Sequence, residues 1–487
     1  MDNNSIRSRA FSSVIWKFLE RIIAQLVSLV VSIILARILM PDDYSVVSIV
    51  AIFFTFANIL ISGGLNSSLI QKKDADSEDY STVLFFSIFV SFIMYAVLFF
   101  TAPIIASIYR HESLILIIRI MALILPVEAV KSIWCAYISS SLQFRKFFFA
   151  TIGGTLFSAV LGIALALKGC GAWALVAQQM SNTLIDTIIL VLSTHITITL
   201  KLSFTKLKSH VNYGWKVLVS SLINTLYLEM TPLLIGVKYS PSDLSYYSKG
   251  RSFPSLLSTT TTNTLSAVLF PVLSKYQDNK EALLKYTRLF IRLASYISFP
   301  VMLGFFMVAD DFVRVVLTEK WLAAVPYIQI FCLSSMFDMI NIGNCETIKA
   351  MGRSDLFLLI EIIKKTSYFV IIGIFLFASK TPVMLACGFI ACTVVAIVVN
   401  SIPNQKLINY KVKYQLKDLL PNLASALGMC IPIYIFGLMM RSSNINLFII
   451  LVIKVFLGAI TYLLISVFTH NESFYYLLSQ VKRVLKK

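Results

Sequence analysis

Lys17, Arg21, Gln25, Ser28 and Ser32 follow one another at intervals of three or four residues. In a helix that spacing puts all five on one face. Asn212, Lys216, Ser220, Asn224, Tyr227 and Thr231 repeat the pattern, with Lys216 standing 199 residues after Lys17. Both stripes run through sequence that is otherwise apolar. A Lys or Arg facing lipid at the bilayer centre costs about 2.5–3.5 kcal/mol, so such a stripe must face protein or water. Two readings stand: packing against a neighbouring helix, or lining a central cavity. The recurrence of the stripe favours the cavity. Lys285, Arg288, Arg292 and Ser295 form a third polar face, Lys249 and Arg251 interrupt another apolar stretch, and Glu128 and Lys131 a fourth. A cavity ringed by such residues suits an anion, and the planar fork of Arg grips two phosphate oxygens at once. The candidate anion-binding residues are therefore Lys17, Arg21, Lys131, Lys216, Arg251 and Arg292. Buried carboxylates are fewer: Glu20, Glu128, Glu229, Asp338, Glu346 and Glu361. Of these Glu20, Glu128, Glu229 and Asp338 are candidates for carrying a proton or coupling an ion.

The elements that hold these residues follow from composition. The chain has 487 residues, 58% hydrophobic and only 14% charged. Apolar runs separated by short polar ones indicate an all-α polytopic membrane protein. The net charge of +18 sits mostly in loops and tails, as the positive-inside rule requires, so nucleic acid is not an expected partner. The seven cysteines contain no Cys-x-x-Cys pair and read as small hydrophobes. The histidines form no ligand cluster, so no metal and no other cofactor are expected. No Gly-x-x-x-x-Gly-Lys-Ser/Thr loop is present, so the chain itself does not use ATP. Gly169 and Gly171 in "KGCGAW" read as a turn between spans.

At about 20 apolar residues each, about fourteen spans are predicted: 11–38, 43–70, 82–109, 113–142, 147–168, 171–195, 211–237, 243–273, 284–310, 322–350, 356–378, 382–402, 418–440 and 445–469. Arg7, Arg9, Lys72, Lys73, Lys201, Lys206, Lys208, Lys406, Lys411, Lys413, Lys417 and the tail residues Lys482, Arg483, Lys486 and Lys487 then share one side with both termini. That side is expected to be the cytoplasm. The tail from 471 mixes aromatic, aliphatic and basic residues, which suits a short helix on the inner leaflet or a solvated helical end.

"PDDYSVV" at 41–47 is answered by "PSDLSYY" at 241–247. Trp16-Lys17 is answered by Trp215-Lys216, and Leu65 and Leu69 by Leu265 and Leu269. Landmarks of different chemistry keep one register, so the chain reads as two parallel six-helix lobes, 1–200 and 201–405. Two additional spans follow at 406–470, and then a basic tail at 471–487. Parallel repeats of this kind are a transporter plan with substrate bound between the halves, and a self-contained monomer is the default expectation.

The motifs run along the whole chain: "ILARILMPDDYSVVSIVAIF" at 33–52, "SLIQKK" at 68–73, "GCGAWALVAQQ" at 169–179, "YGWKVLVSSLINTL" from 213, "YYSKGRSFPSL" from 246, "VLFPVLSKYQ" at 268–277, "EKWLAAVPYIQI" at 319–330 and "KAMGRSD" at 349–355. In this order they resemble the polysaccharide-exporter branch of the multidrug/oligosaccharidyl-lipid/polysaccharide transporter superfamily, the branch of colanic-acid-type lipopolysaccharide exporters. Ser45 stands where that pattern usually has Gly, which bears on a local turn. The resemblance implies a MATE-like flippase fold of two six-helix bundles plus two helices, and no enzymatic activity. It implies movement of a polyprenyl-pyrophosphate-linked oligosaccharide across the bacterial inner membrane by alternating access, for O-antigen, capsule or exopolysaccharide synthesis. Arg251 and Trp321 are carried over as motif matches. The six basic residues named above would then neutralise pyrophosphate, while Gln25, Asn224 and Tyr227 would contact sugars. The polyprenyl tail would stay among the membrane lipids. A proton or sodium gradient is the candidate drive, and the polysaccharide polymerase machinery a candidate partner.

Two rival readings make opposite demands. A drug/cation antiporter of the same superfamily calls for an acidic cavity, against which the basic stripes argue. A membrane glycosyltransferase or polymerase would alter chain linkage rather than stall a lipid carrier.

Overall fold

The computed structural model describes residues 3–485 apart from 63, 73, 142, 200, 442 and 444, and side chains in that range apart from 3–15, 18, 263–268, 270, 271, 481 and 483–485. Lys73, Lys486 and Lys487 thus lie outside the described residues, as do the side chains of Arg7, Arg9, Leu265 and Arg483. Every regular element among the described residues is helical. In chain order the α-helices are α1 (Asn3–Ile38), α2 (Pro41–Ser62), α3 (Leu65–Gln71), α4 (Ser77–Tyr109), α5 (Ser113–Ala122), α6 (Leu125–Ser141), α7 (Phe144–Leu167), α8 (Ala172–Ser193), α9 (Phe204–Lys238), α10 (Pro241–Ser274), α11 (Lys280–Phe312), α12 (Val325–Ser335), α13 (Asp338–Ala350), α14 (Ser354–Ala378), α15 (Pro382–Leu407), α16 (Val412–Met440), α17 (Leu447–Phe468) and α18 (Glu472–Leu485), with a π-helical turn at Val313–Leu317 and a 3-10 segment at Glu319–Ala324 between α11 and α12.

The helix ends are written in the sequence. Ser203, Asn279 and Thr381 each accept a hydrogen bond from a first-turn amide of α9, α11 and α15. Asp76 and Asp79 form a reciprocal capping box at the start of α4, which satisfies two amide groups that would otherwise lack partners. Pro382 sits at the start of α15, where its missing N–H is no loss.

Among the described residues, twelve helical segments are long and apolar enough to cross a membrane, so this is a multi-pass membrane protein. The expected count was about fourteen. The difference lies at 243–273 and 356–378, which fall on α10 and α14. The first is rich in Ser and Thr and carries Lys249 and Arg251; the second carries Glu361, Lys364 and Lys365. Two expected spans are also interrupted. Segment 113–142 is α5 and α6, broken around Leu123 and Ile124 just before Pro126. Segment 322–350 is α12 and α13, broken at Met336 and Phe337. The span expected at 43–70 is α2 followed by the short α3.

Packing divides the chain into two compact units, Met1–Ser245 and Tyr246–Lys487. In unit 1, α2 packs against α4, α5, α6, α8 and α9, while α7 packs against α1 and α8. Gly154, Ser158, Gly162 and Ala166 recur every four residues on α7, and all are buried. That small-residue seam lets helices approach closely in lipid, where van der Waals contact replaces the hydrophobic drive. The helix α9 docks on α2, α3 and α4 in unit 1. There a Cβ at Gly64 would overlap the Gly214 carbonyl oxygen, so the two backbones touch. His210 of α9 is buried. Its Nε2 lies 3.0 Å from Asp79 Oδ1 and its Nδ1 2.8 Å from Ser68 Oγ. In unit 2, α11 is the hub, packing against α12, α13, α16, α17 and α18, and α15 packs against α12, α13 and α14.

Candidate functional site

In unit 1, α6 and α8 bring four polar side chains together inside apolar helices. Lys131 Nζ donates to Asp186 Oδ2 at 3.0 Å. Thr183 Oγ1 donates to Glu128 Oε1 at 2.7 Å. Glu128 and Lys131 are one helical turn apart, as are Thr183 and Asp186, so the two bonds form successive rungs. Asp186 is nearly buried, and its second oxygen has no hydrogen-bond partner. Gly154 of α7 makes room for it, because a Cβ there would overlap that free oxygen. A carboxylate and an ammonium held this way in a low-dielectric layer depend on each other, since either one alone is strongly disfavoured.

The α1 stripe is partly self-contained. Lys17 pairs with Glu20 at 3.0 Å and lies 3.9 Å over the Phe147 ring. Arg21 is exposed and makes no ion pair among the described residues. Ser28, lower on the same stripe, lines a cavity of about 350 Å3 together with Tyr44, Ser48, Thr155, Gln178 and Asn182. Hydroxyls and amides alternate there with Val47, Ala51 and Leu175 and no side chain is charged, a mixed lining that can meet both the hydroxyls and the apolar faces of a sugar. On α9, Lys216 and Asn224 are exposed, while Tyr227 and Glu229 are half-buried.

Unit 2 holds the remaining predicted residues in separate places. Arg251 lies 6.0 Å from the Phe331 ring centroid, and Trp321 is fully buried with Lys249 5.7 Å over its ring. Asp338, at the break between α12 and α13, accepts a 2.5 Å hydrogen bond from Ser258. Arg292 pairs with Glu472 and lies 3.9 Å from Asp418. It stands beside Arg288, which binds Asp418 through two nitrogens at 2.8 and 2.7 Å. Glu346 and Glu361 pair with Lys349 and Lys364 on their own helices. Within unit 1, Lys131 and Glu128 share one cluster and Lys17 and Glu20 another; within unit 2, Arg292 belongs to the cluster of Arg288, Asp418 and Glu472.

Sequence reading missed three groups. Asp186 was visible as Asn182-x-x-x-Asp186 inside an apolar span, a polar face of its own. The second is an amide network in which Asn344 Nδ2 donates to Gln415 Oε1 at 3.0 Å. There Asn404 Nδ2 donates to Asn344 Oδ1 at 2.8 Å and Asn400 Nδ2 to Asn341 Oδ1 at 2.8 Å. Its signal was Asn341 and Asn344 in one span against Asn400 and Asn404 in the next but one. The third is Lys454, whose stem passes Gly437 to pair with Asp311. An apolar groove of about 490 Å3 starts at Lys454 and runs past Pro300, Gly304, Phe305 and Gly458. No group of His, Cys, Asp or Glu among the described residues is arranged to hold a metal.

Comparison with known proteins agrees with this architecture. The chain is 26% identical over 357 residues to an uncharacterized membrane protein in the cps region of Klebsiella pneumoniae, covering 71% of this chain and 72% of that one. It is 21% identical over 359 residues to the lipopolysaccharide biosynthesis protein WzxC of Escherichia coli, covering 72% of each. Among solved structures it superposes on the lipid II flippase MurJ in an inward closed conformation with a TM-score of 0.74. That match covers 94% of this chain and 99% of the other at 12% identity, and so speaks for the fold. A model of the family described as polysaccharide biosynthesis protein matches residues 34–326, and with three-fifths of its length inside that match, the chain belongs to the polysaccharide biosynthesis protein family.

Proposed function

We propose that this protein is a flippase that moves a polyprenyl-pyrophosphate-linked oligosaccharide across the bacterial inner membrane for surface polysaccharide synthesis. It is a transporter and not an enzyme. The observation that carries the reading is the Lys131–Asp186 pair, a cation held within a membrane-spanning helix pair beside Glu128. An anionic headgroup can take Lys131 from Asp186, and a proton on Asp186 releases it. A single residue pair then answers both the cargo and a proton gradient, with a sodium gradient as the other candidate drive. Lys17, Arg21, Lys216 and Arg251 are assigned to the same headgroup along its path. The neutral cavity at Ser28 and Gln178 supports contact with sugar hydroxyls, extending the role given to Gln25, Asn224 and Tyr227. The apolar groove past Gly304 and Gly458 suits the hydrocarbon tail.

The lobes 1–200 and 201–405 remain part of the proposal as halves of an internal repeat. Helix lengths support them: 36 residues for α1 and 35 for α9, 33 for both α4 and α11, 24 for α7 and 25 for α14. Both termini are assigned to the cytoplasm from the basic loops, the monomer is the working unit, and the polymerase machinery is the candidate partner.

The test is the sidedness of lipid-linked oligosaccharide in membranes from cells lacking the protein. Accumulation on the cytoplasmic face with loss of surface polysaccharide is expected. Normal sidedness with unpolymerised units outside would refute the flippase reading. Within the proposal, R21A is expected to reduce export and R21K to retain part of it. Full export in both would remove Arg21 from the path.

A further inference from the structure

The first turns of α16, the facing turns of α11 and the junction of α17 with α18 enclose a cleft of about 570 Å3 in unit 2. Its floor is fixed by amides. Asn422 donates to the Arg292 carbonyl at 2.8 Å and to Ser295 Oγ at 2.9 Å. Asn471 donates to Asn422 Oδ1 at 2.9 Å, and its own oxygen accepts the Ser473 amide at 2.9 Å. Both amide side chains are buried. His470 takes a left-handed φ of 49°, which turns the chain from α17 into α18 and closes the cleft.

The charges on this floor are unequal. Arg288, Arg292 and Lys417 face Asp418 and Glu472. Arg288 commits two nitrogens to Asp418. Arg292 commits one to Glu472, and its buried Nε has no hydrogen-bond partner. Lys417 makes no ion pair among the described residues and is exposed at the rim. Arg288 is thus held by Asp418, while Arg292 and Lys417 line the cleft with charge that Asp418 does not bind tightly, and the Glu472 carboxylate, largely exposed, already occupies one Arg292 nitrogen as an internal anion. A guanidinium fork with spare N–H groups next to an ammonium is the donor set that phosphate oxygens accept best.

The flanks say where the phosphate comes from. Leu416 and Leu420, on either side of Lys417 in the chain, are 60% and 63% exposed, so the rim borders hydrocarbon. Tyr414, Tyr475 and Tyr476 are exposed around the opening, as aromatic residues are at headgroup level. Phe474, Leu477 and Leu478 are half-buried along one side of α18, and Lys482, one turn after Leu478, is exposed, as a basic residue at headgroup level is. We infer that this cleft binds the phosphate of an anionic membrane phospholipid from the leaflet on the C-terminal side, with its acyl chains along Leu416 and Leu420. The site is built by unit 2 alone, and it goes beyond the transported cargo.

Full-length protein in phosphatidylcholine nanodiscs containing a fixed fraction of phosphatidylglycerol tests this by native mass spectrometry of retained phosphatidylglycerol. Loss of one charge-assisted contact is expected to weaken retention about tenfold in K417Q and R292Q. E472Q, which removes the internal competitor, is expected to tighten it severalfold, a gain that a merely structural role would not produce. K413Q, one turn away and outside the cleft, is expected to match wild type. K417Q leaves both ion pairs intact and so keeps the test sound if R292Q fails to fold. Equal retention by wild type, K417Q and E472Q would overturn the site. Displacement of phosphatidylglycerol by millimolar inorganic phosphate would overturn the lipid source. Since phosphatidylglycerol carries no oligosaccharide, neither failure touches the flippase reading.

Discussion

Unit 1 joins α6 to α8 with charge, and unit 2 joins α13 to α15 without it. Each pair makes two rungs about one helical turn apart. In the first, Lys131 meets Asp186 and Glu128 meets Thr183. In the second, Asn344 meets Asn404 and Asn341 meets Asn400. Ammonium and carboxylate can change state with a proton or an arriving anion. Amides cannot, so their network fixes one arrangement and is fully effective only when every member is satisfied. The comparison assigns the responsive element to unit 1 and the rigid one to unit 2.

The sharpest way to break this contrast is to remove one member from each ladder. K131A leaves Asp186 without its cation, so a stability loss of about 3–5 kcal/mol is expected together with loss of export. N344A leaves Asn404 and Gln415 short of a partner, for about 1–3 kcal/mol, with export retained in whatever protein folds. Thermal unfolding in detergent and complementation of surface polysaccharide read the two effects separately. K131A/D186A should recover stability without export. If it recovered export as well, the charge would have no part in transport.

A smaller difference lies in the packing that supports each ladder. G154A drives a methyl into Asp186, and about 1–3 kcal/mol of destabilisation is expected, since the carboxylate has to move. G388A in α15 meets the end of Ile372 at 3.0 Å and the Phe375 ring at 3.3 Å, contacts much looser than the overlap at Gly154, and is expected to cost less than G154A, about 1 kcal/mol. Equal melting shifts would show that Asp186 is not held in place by α7.

The smallest effect is expected at the polar edge of unit 1. The Lys206 ammonium first, and then the Asp79 amide, hold the Asp76 carboxyl below the usual carboxylate range. A depressed carboxylate stabilises the fold above its unfolded value, near pH 4, and that contribution fades as pH falls below it. D76N should therefore lower the melting temperature slightly at neutral pH and converge with wild type as pH falls from about 4 to 2. A change at neutral pH larger than that from K131A would reverse the ranking of the two regions.

Much of the fold was legible because lipid leaves few choices. Apolar runs must be helices, and the Pro-x-Asp-x-Ser pair at 41 and 241 marked the starts of α2 and α10. What local sequence hides is partnership. Lys131 was read as a cation facing a cavity because Asp186 lies 55 residues on, beyond any helical period. Arg292 looked deep in the membrane, yet Glu472 reaches it from the start of α18. The break at 336–337 carries no proline to announce it, and α9 packs with the first unit because Gly214 fits Gly64.

That last contact has a consequence in time. Gly214 is made 150 residues after Gly64. At about 5–20 residues per second this is roughly 8–30 s of synthesis. During that interval α3 and α4 are in the membrane with Ser68 and Asp79 still awaiting His210. The first unit is therefore complete only once α9 has been made, and a chain stopped near residue 200 would leave Ser68 and Asp79 without His210.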